Sequence, residues 1–285
     1  MRSKLFVPGA RLEFFEKALS GAADALSFDL EDAVAEDSKA VAREAVAAFV
    51  TRQDAVNSGK ILIVRTNALD SPHFAADLAA VVRPGVALIN LPKIESVDEV
   101  LAAVRQIEAA EHANDVCEPM GLLVNIETPT ALAAAARIAS AHPRIKGLQL
   151  GLGDMFEPHA IHRSDPRNVH AAMFALRMAS AQAGVFAMDG AYAALDDDAG
   201  FTEEATMARG LGFVGKSCVH PRQVPLANAV FAPTDAEIMH ARRVVAAARA
   251  AGAGSQGAFA VDGRMVDVPF LKRAEALLAS AQQSN

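Results

Sequence analysis

The sequence is poor in the residues that mark nucleic-acid binding, secretion or a disulfide framework. Its 285 residues include no tryptophan, one tyrosine and two cysteines, Cys117 and Cys218. The formal net charge is −7 and the lysines and arginines form no basic stripe, which argues against nucleic acid as a partner. Because the two cysteines lack metal-ligand spacing and suit a reducing compartment, we expect a cytoplasmic protein.

Long apolar stretches are also missing. No run approaches the roughly 18 residues of a membrane span, and the segment before Val7 is too short for a signal peptide. We therefore expect neither a membrane partner nor secretion. The composition is nevertheless 52% hydrophobic, and the length suits one α/β barrel of about 250 residues with a C-terminal extension.

Short β-rich apolar runs alternate along the chain with alanine-rich segments of helical spacing. Such alternation predicts parallel strands, because a parallel connection needs a crossover. Eight units favour an α/β fold of the (β/α)8 TIM-barrel type, although one misread strand would give a doubly wound sheet instead. The predicted strands are Lys4–Val7, Ala25–Leu30, Ile61–Thr66, Ala87–Leu91, Gly121–Ile126, Gly147–Leu152, Gly184–Met188 and Gly212–Gly215.

Further helical segments follow the eighth predicted strand and form a C-terminal helical extension. Among them, Gly252–Gly257 contains three glycines and a serine, a composition that predicts a hinge. We therefore divide the chain into a catalytic barrel domain of residues 1–250 and a C-terminal lid element of residues 251–285.

Polar or turn-forming residues follow nearly every predicted strand at its carboxyl end. Taken singly, such a residue is more often a helix cap or a solvated loop residue, as Asp32 and Asp154 could be. In a barrel, however, these ends meet on one face, and by analogy with other barrels that face carries the active site. The residues concerned are Pro8, Gly9, Asp29, Glu31, Asp32, Arg65, Asn67, Lys93, Glu127, Asp154, Asp189, Lys216 and His220.

Two of these acids predict a metal site. Glu127 and Asp154 end successive strands, so their carboxylates are expected side by side. Mg²⁺ takes one or two protein carboxylates and keeps positions for water and substrate, whereas without a cation the two acids would repel. The alternative is an acid–base pair as in glycosidases, but the sequence lacks the aromatic residues of a sugar platform. Mg²⁺ is the cofactor we expect.

The candidate cations are Arg65 and Lys93. Arg65 ends an apolar strand and suits bidentate binding of a carboxylate or an enolate oxygen. Its alternative role is that of a structural partner for Glu31 or Asp32. Lys93 follows Leu91 and a proline, a context in which a lysine is often only a solvated loop residue.

Several motifs together resemble the citrate lyase β-subunit-like family, relatives of the HpcH/HpaI aldolases. The resemblance runs nearly end to end, and several specific motifs in one order carry more weight than any one of them. The matching segments are Leu5–Gly9, Phe28–Val34, Val64–Asn67, Leu91–Glu95, Ile126–Thr128, Gly212–Lys216, Val219–Pro221 and Asp262–Pro269.

The resemblance implies a Mg²⁺-dependent carbon–carbon lyase. Its substrate would be a 3-hydroxy acyl-CoA thioester, such as a citryl, malyl or citramalyl thioester, cleaved to a 2-oxo acid and acetyl-CoA or a similar product. Glu127 and Asp154 match the residues that hold Mg²⁺, and Arg65 matches an arginine that contacts substrate oxygens. Glu31 and Asp32 match acids that lie behind metal-bound water.

The resemblance also implies where coenzyme A and a second subunit approach. Lys39 and the segment with Lys216, His220 and Pro221 correspond to the region near the CoA. Asp267 matches an aspartate that, in related lyases, reaches into a neighbouring subunit's site and exchanges a proton with the enolate carbon. A homotrimer or hexamer follows from this match, whereas a final helix packed on its own barrel is the alternative.

Two departures from the family leave the acyl group open. Gly153 occupies a position where many relatives have glutamate, and the loop Met155–Arg163 is bulkier and more charged than the usual one. A 2-oxo-acid aldolase or an acyl-CoA thioesterase on the same metal site remains an alternative. So does a non-catalytic subunit that binds CoA or metal, and an acyl-carrier subunit could take the place of CoA.

Overall fold

A computed structural model describes residues 1–250 and 259–283 of the chain. Eight parallel strands form a closed barrel in sequence order, and the first and last strands pair with Ser3 opposite Lys216. The predicted (β/α)8 barrel is thereby confirmed. The strands are β1 (Ser3–Pro8), β2 (Ala25–Asp29), β3 (Ile61–Arg65), β4 (Val86–Leu91), β5 (Gly121–Ile126), β6 (Ile145–Leu150), β7 (Phe186–Asp189) and β8 (Gly215–Cys218).

Helices cover the outside of the barrel, and local sequence sets where the longer ones begin and end. Ser96 and Glu99 form a capping box at the start of α5, and Pro166 occupies the first turn of α8. Gly184 and Gly212 adopt positive φ angles and end α8 and α9. The helices are α1 (Phe15–Ser20), α2 (Lys39–Val50), α3 (Gln53–Val56), α4 (Phe74–Val81), α5 (Val97–Ala113), α6 (Pro129–Ala139), α7 (Leu152–Phe156), α8 (Pro166–Ala183), α9 (Asp198–Leu211) and α10 (Gln223–Phe231).

The main core fills the layer between the barrel and its helices. Every residue of β2 and β5 is buried, as expected for parallel strands covered on both faces. Phe15, Phe28 and Phe49 form an aromatic group in this layer, with ring centroids 5.0–5.3 Å apart. This packing holds the carboxyl ends of the strands in fixed positions around the barrel mouth.

Three strand predictions are wrong by two residues or more at one end or both, among them β7, which begins at Phe186 rather than at Gly184, the residue that ends α8. Strand β6 is Ile145–Leu150 rather than Gly147–Leu152, because the chain turns into α7 at Leu152. Strand β8 begins at Gly215 rather than Gly212, since Gly212 has a φ of 90° and ends the preceding helix. The apolar run at residues 212–215 suggested a strand. The strand itself lies further along the chain and contains the buried Lys216, whose charge is paired with Asp189 and Glu204.

The chain divides into two compact units, Met1–Phe231 and Ala232–Asn285, and the second contains the last part of the chain. Its described elements are α11 (Asp235–Ala250), a hairpin of β9 (Phe259–Val261) and β10 (Arg264–Val266), and α12 (Val268–Gln283). Residues of both helices and the hairpin share a small apolar core. The boundary at residue 250 that we expected from the sequence falls inside this unit. The predicted hinge Gly252–Gly257 lies outside the described residues.

Candidate active site

A cavity of about 470 Å³ lies at the carboxyl ends of the barrel strands. Four acids and two arginines supply the charged part of its lining: Asp29, Asp32, Arg65, Glu127, Asp154 and Arg163. The predicted metal ligands, the predicted substrate arginine and one of the two predicted acids therefore border a single space.

Among the described helices, none is long and apolar enough to cross a membrane.

Glu127 follows β5 and is buried at the cavity wall. The backbone N–H of Lys93 donates to its Oε1 at 2.6 Å, and the Asn125 side chain donates to its Oε2 at 3.1 Å. Lys93 adopts a φ of 54°, an uncommon conformation for a non-glycine residue, and this aims its amide at the carboxylate. Gly151 lies so close that a Cβ there would be 2.5 Å from the Cβ of Glu127. Glu127 is thus held by neighbours on both sides.

Asp154 lies in the first turn of α7, is exposed, and borders the same cavity. Burial raises the pKa of the Glu127 carboxyl, and the charge of Asp154 adds to that effect. A cation between the two acids would relieve both costs, and carboxylate oxygens are the ligands that Mg²⁺ prefers. No cluster of three or more acidic, histidine or cysteine ligands occurs in the described part of the chain. The donor set therefore fits a cation with two protein ligands and several waters.

Arg65 ends β3 directly beside Asp29, its register partner at the end of β2. Its Nε and Nη2 donate to the two Asp29 oxygens at 2.8 and 2.7 Å, and Nη1 lies 2.8 Å from Glu31 Oε2. The structural pairing with Glu31 that we considered is therefore present, and the same guanidinium also borders the cavity. Asp29 was among the residues expected at the strand ends, but we assigned it no role of its own. The signal was available, because Asp29 and Arg65 end adjacent strands.

Glu31 is buried, whereas Asp32 is exposed at the cavity mouth. Burial raises the pKa of Glu31 to about 7, although Arg65 and Lys93 favour its charged form. Lys93 Nζ lies 2.9 Å from Glu31 Oε1 and 3.5 Å from Asp32 Oδ1. The view of Lys93 as only a solvated loop residue was wrong, since its amide and its ammonium both contact site acids.

The residues proposed near coenzyme A are dispersed. Lys39 Nζ donates to the carbonyl oxygens of Leu30 and Glu31 at 3.0 Å each. His220 and Pro221 lie in the turn after β8, where Pro221 is exposed. None of the three belongs to the cavity lining.

Lys216 departs from its expected role. Its side chain is fully buried, and Nζ lies 2.6 Å from Asp189 Oδ2, 2.6 Å from Glu204 Oε1 and 3.1 Å from the Gly190 carbonyl. All three ammonium hydrogens thus have an acceptor inside the protein. The expected contact of Lys216 with coenzyme A is therefore replaced by a structural role.

Two further charged residues had no individual role in the sequence analysis, although Arg163 ends the loop that we expected to distinguish this chain from its family. Arg163 pairs with Glu204 and borders the cavity; a single sequence carries no signal for a contact between residues 41 positions apart. Lys4 is fully buried inside the barrel, with its Nζ 3.8 Å from the Phe6 ring centroid and 3.4 Å from Ser27 Oγ. Burial, with Arg65 as a second cause, lowers the pKa of Lys4 well below its usual value.

Asp267 belongs to the second unit, just before α12. Its Oδ1 is buried without a hydrogen-bond partner in the described part of the chain. Its backbone carbonyl accepts a hydrogen bond from Leu271 N–H at 3.1 Å, which starts the helix. The proposed role of Asp267 in a neighbouring site thus stays a prediction.

A closed parallel barrel with acids and arginines around its carboxyl-end cavity is the arrangement of barrel enzymes. The chain belongs to the HpcH/HpaI aldolase/citrate lyase family, whose model matches residues 2–221. The resemblance noted from the sequence is thereby confirmed. The match covers the whole barrel up to the turn after β8.

Curated relatives and solved structures cover nearly the whole chain. The citrate lyase subunit beta of Escherichia coli K12 is 40% identical over 99% of this chain and 94% of its own length. The L-malyl-CoA/beta-methylmalyl-CoA lyase of Cereibacter sphaeroides is 34% identical over 99% of this chain and 94% of its own. CitE of Mycobacterium tuberculosis, solved with magnesium, acetoacetate and coenzyme A, is 31% identical with a TM-score of 0.74, covering 99% of this chain and all of that one.

Proposed function

We propose that this protein is a Mg²⁺-dependent carbon–carbon lyase that cleaves a 3-hydroxy acyl-CoA thioester to a 2-oxo acid and a shorter acyl-CoA. The observation that carries the proposal is that Glu127, Asp154 and Arg65 border one cavity at the barrel mouth. Relatives at 34–40% identity are named as citrate lyase and malyl-CoA lyase, which supports the same reaction type here. A cytoplasmic location remains our expectation.

Glu127 and Asp154 would hold the Mg²⁺. When bound, the ion acts as a Lewis acid that lowers the pKa of a substrate hydroxyl and offsets negative charge during bond cleavage. Glu127 suits this role because the Lys93 amide and Asn125 already fix its orientation. Asp154, being exposed, leaves its side of the cavity open to water and substrate.

Arg65 supplies a fixed positive charge for the oxygen of the departing thioester enolate. Asp29 grips the guanidinium through two hydrogen bonds, so the group needs little reorganisation when charge develops. Nη1 lies near both Glu31 and Asp32, at 2.8 and 3.6 Å, whereas Nη2 donates one of its two hydrogens to Asp29. The second hydrogen of Nη2 would donate to a substrate oxygen in the cavity.

Glu31 and Asp32 act on the proton of the substrate hydroxyl through water at the cavity mouth. With a pKa raised to about 7, Glu31 changes its protonation state near neutral pH, as a proton acceptor should. Asp32 lies beside it and is 54% exposed, which keeps the pair in contact with solvent.

Asp267 donates the proton that the enolate carbon requires, and it does so in the site of a neighbouring subunit of a homotrimer or hexamer. Val268 and Phe270, which follow it in the chain, are exposed apolar residues of the second unit and suit burial against a partner. The test mixes two inactive variants, Asp267→Ala and Glu127→Ala, under conditions of proven subunit exchange. Recovered activity supports shared sites, whereas no recovery confines Asp267 to its own subunit or removes it from catalysis.

The carrier of the acyl group is coenzyme A in this proposal. Lys39, His220 and Pro221 remain the residues expected near it, without Lys216. The carrier could instead be an acyl-carrier subunit, and turnover of free CoA thioesters decides between them. If only carrier-bound acyl groups react, the CoA part of the proposal fails.

The decisive experiment assays a panel of 3-hydroxy acyl-CoA thioesters with Mg²⁺ and measures the 2-oxo acid and the acyl-CoA product separately. We expect both products in equal amounts, loss of turnover with a chelator, and recovery when Mg²⁺ is added back. Free CoA without a 2-oxo acid would indicate a thioesterase. Cleavage of hydroxy acids that lack the thioester would indicate an aldolase, and tight binding without any product a non-catalytic subunit.

A further inference from the structure

Lys4 is a buried charged residue that has no place in the proposed chemistry. It lies on β1, and its side chain has no surface exposed to water. Its Nζ lies 3.8 Å from the centroid of the Phe6 ring and 3.4 Å from Ser27 Oγ. Because Phe6 borders the cavity and Lys4 does not, the amine of Lys4 lies behind a ring of the cavity wall.

The amine of Lys4 lacks the partners that a buried lysine usually has. An ammonium group carries three hydrogens. Among residues 1–250 and 259–283, Ser27 Oγ is the one hydrogen-bond acceptor of Lys4, and no carboxylate lies within ion-pair distance of its Nζ. Lys216 is equally buried but has an acceptor for every hydrogen. Burial without a partner disfavours the charged form of a lysine, so Lys4 holds its extra proton weakly.

Charged and titratable groups from four other parts of the barrel act on Lys4. They are Asp29 on β2, Arg65 on β3, Glu127 after β5 and Cys218 on β8. Burial is the largest cause that lowers the pKa of Lys4 well below its ordinary value, and the charge of Arg65 lowers it further. The three acids raise this pKa by smaller amounts. The charge of Lys4 therefore depends on the balance of charge around the cavity.

Arg65 connects Lys4 to the cavity. Its guanidinium carbon lies 5.1 Å from the centroid of the same Phe6 ring, and Arg65 borders the cavity. An anion that approaches Arg65 from the cavity offsets the positive charge that opposes protonation of Lys4. Because binding equilibria are reciprocal, a protonated Lys4 increases the affinity for that anion by the same factor.

We propose that Lys4 is a positioning residue that takes up a proton from solvent when an anionic ligand binds in the cavity. It does not touch the ligand, since it acts through the Phe6 ring and the charge of Arg65. This inference rests on the proposed lyase function, in which a 2-oxo acid occupies the cavity, and it deepens that function. The added proton balances negative charge that the ligand brings into the barrel mouth.

The test is a calorimetric titration with pyruvate at saturating Mg²⁺, repeated over a range of pH in two buffers of different ionisation enthalpy. The difference in heat between the buffers gives the number of protons taken up per bound pyruvate. We expect uptake of up to about one proton in the pH window between the pKa of Lys4 in the free protein and its higher pKa in the complex. Within this window the affinity should fall as the pH rises, because the free protein loses the proton of Lys4 first.

Lys4→Met removes the amine but keeps an unbranched side chain of similar length. In this variant the uptake that depends on Lys4 should disappear, and the pyruvate affinity should stay at the level that the wild-type protein reaches at high pH. At the low-pH end of the window we therefore expect a loss of affinity of roughly tenfold to thirtyfold. This is the attraction between unit charges about 8–12 Å apart at an effective protein dielectric constant of about 20.

Lys146→Met is the matched control. Lys146 also lies on a barrel strand, but it is exposed and does not border the cavity, so its loss makes the same charge change elsewhere. We expect wild-type proton uptake and affinity in this variant. Glu31, with a pKa of about 7, titrates in all the proteins compared and cancels in their difference. Should Lys4→Met not fold, Lys4→Leu removes the same amine with a shorter side chain.

The outcomes separate this inference from the lyase proposal. Equal proton uptake by the wild-type protein and Lys4→Met, or equal pyruvate affinity at every pH, overturns the role of Lys4 even when lyase turnover is found. Uptake that depends on Lys4, without turnover of any thioester, supports this role and overturns the lyase function instead. If thioesters are cleaved but pyruvate does not bind, the coupling is overturned and the lyase function stands.

Discussion

The barrel contains two clusters of charged residues. They differ in whether hydrogen-bond donors remain unpaired after the contacts within each cluster. The mouth cluster consists of Asp29, Glu31, Arg65 and Lys93, and the wall cluster of Asp189, Glu204, Lys216 and Arg163. The exposed Asp32 also lies 3.6 Å from Arg65 and 3.5 Å from Lys93, so the mouth has three acids and two cations, whereas the wall cluster has two of each. Burial raises a carboxyl pKa in both clusters, that of Glu31 to about 7 and that of Asp189 to about 6. In the mouth cluster Arg65 keeps a hydrogen on Nη2, whereas in the wall cluster Lys216 has an acceptor for every hydrogen.

We therefore expect the mouth cluster to act in catalysis and the wall cluster to stabilise the fold. Charges that are fully paired inside the protein cannot respond to a ligand, but removing one of them leaves a buried partner uncompensated. Charges that border the cavity and keep an unused donor can take part in a reaction. Arg163 belongs to the wall cluster through Nε and Nη2, which donate to Glu204. It also borders the cavity that Arg65 of the mouth cluster borders.

The largest effect should come from the cavity itself, through Glu127→Gln. The variant keeps the shape of the side chain, but its amide can accept from only one of the two donors, the Lys93 N–H and the Asn125 side chain, and it removes a charged metal ligand. We expect a loss of lyase turnover of roughly a thousandfold or more, with no loss of thermal stability. Glu157→Gln, which removes an exposed acid, should turn over at the wild-type rate. Equal rates for the two variants would refute the assignment of Glu127.

Removing the buried cation Lys216 should instead lower the free energy of unfolding. In Lys216→Met the two acids of the wall cluster lose their shared partner, and we expect the free energy of unfolding in urea to fall by about 3–5 kcal/mol. The exposed Lys146→Met is the control and should unfold near the wild-type midpoint. If both variants unfold at the same urea concentration, the wall cluster does not support the fold.

Glu31 should give the mouth cluster a dependence on pH. Its carboxyl has a pKa of about 7 in the folded protein and near 4.5 when unfolded, so the folded state binds more protons between these values. Wild-type stability should therefore fall relative to Glu31→Gln as the pH rises from about 4.5 to about 7, by at most roughly 3 kcal/mol. Urea unfolding of both proteins across this range measures the difference. Parallel stability curves would contradict it.

The smallest effect is expected at the surface. Arg52 contacts Glu16 and Asp54, but all three side chains are exposed to water. Exposed pairs of this kind contribute little because solvent screens them. Arg52→Gln should leave both the urea midpoint and lyase turnover unchanged, and a clear loss of stability would show that pairing alone, without burial, strengthens this fold.

Much of the fold and part of the site could be predicted from the order of residues along the chain. Alternating apolar runs and alanine-rich segments determined the barrel, because a parallel strand must be followed by a crossover. The ends of the strands brought Glu127, Asp154 and Arg65 to one cavity, since closure of a barrel gathers all carboxyl ends on one face. These features depend on local pattern and topology.

Other features depended on contacts that only the closed barrel creates. Whether Lys216 points to a ligand or into the helical layer is decided by the register of β8, and a shift of one residue reverses it. The left-handed backbone of Lys93 arises beside Glu127, although no glycine or asparagine marks it. The pairing of Arg163 with Glu204 joins positions 41 residues apart. Sequence determined which charges reach the barrel mouth, but their partners follow from distances in space, so tertiary structure alone decided which of them stay available to a ligand.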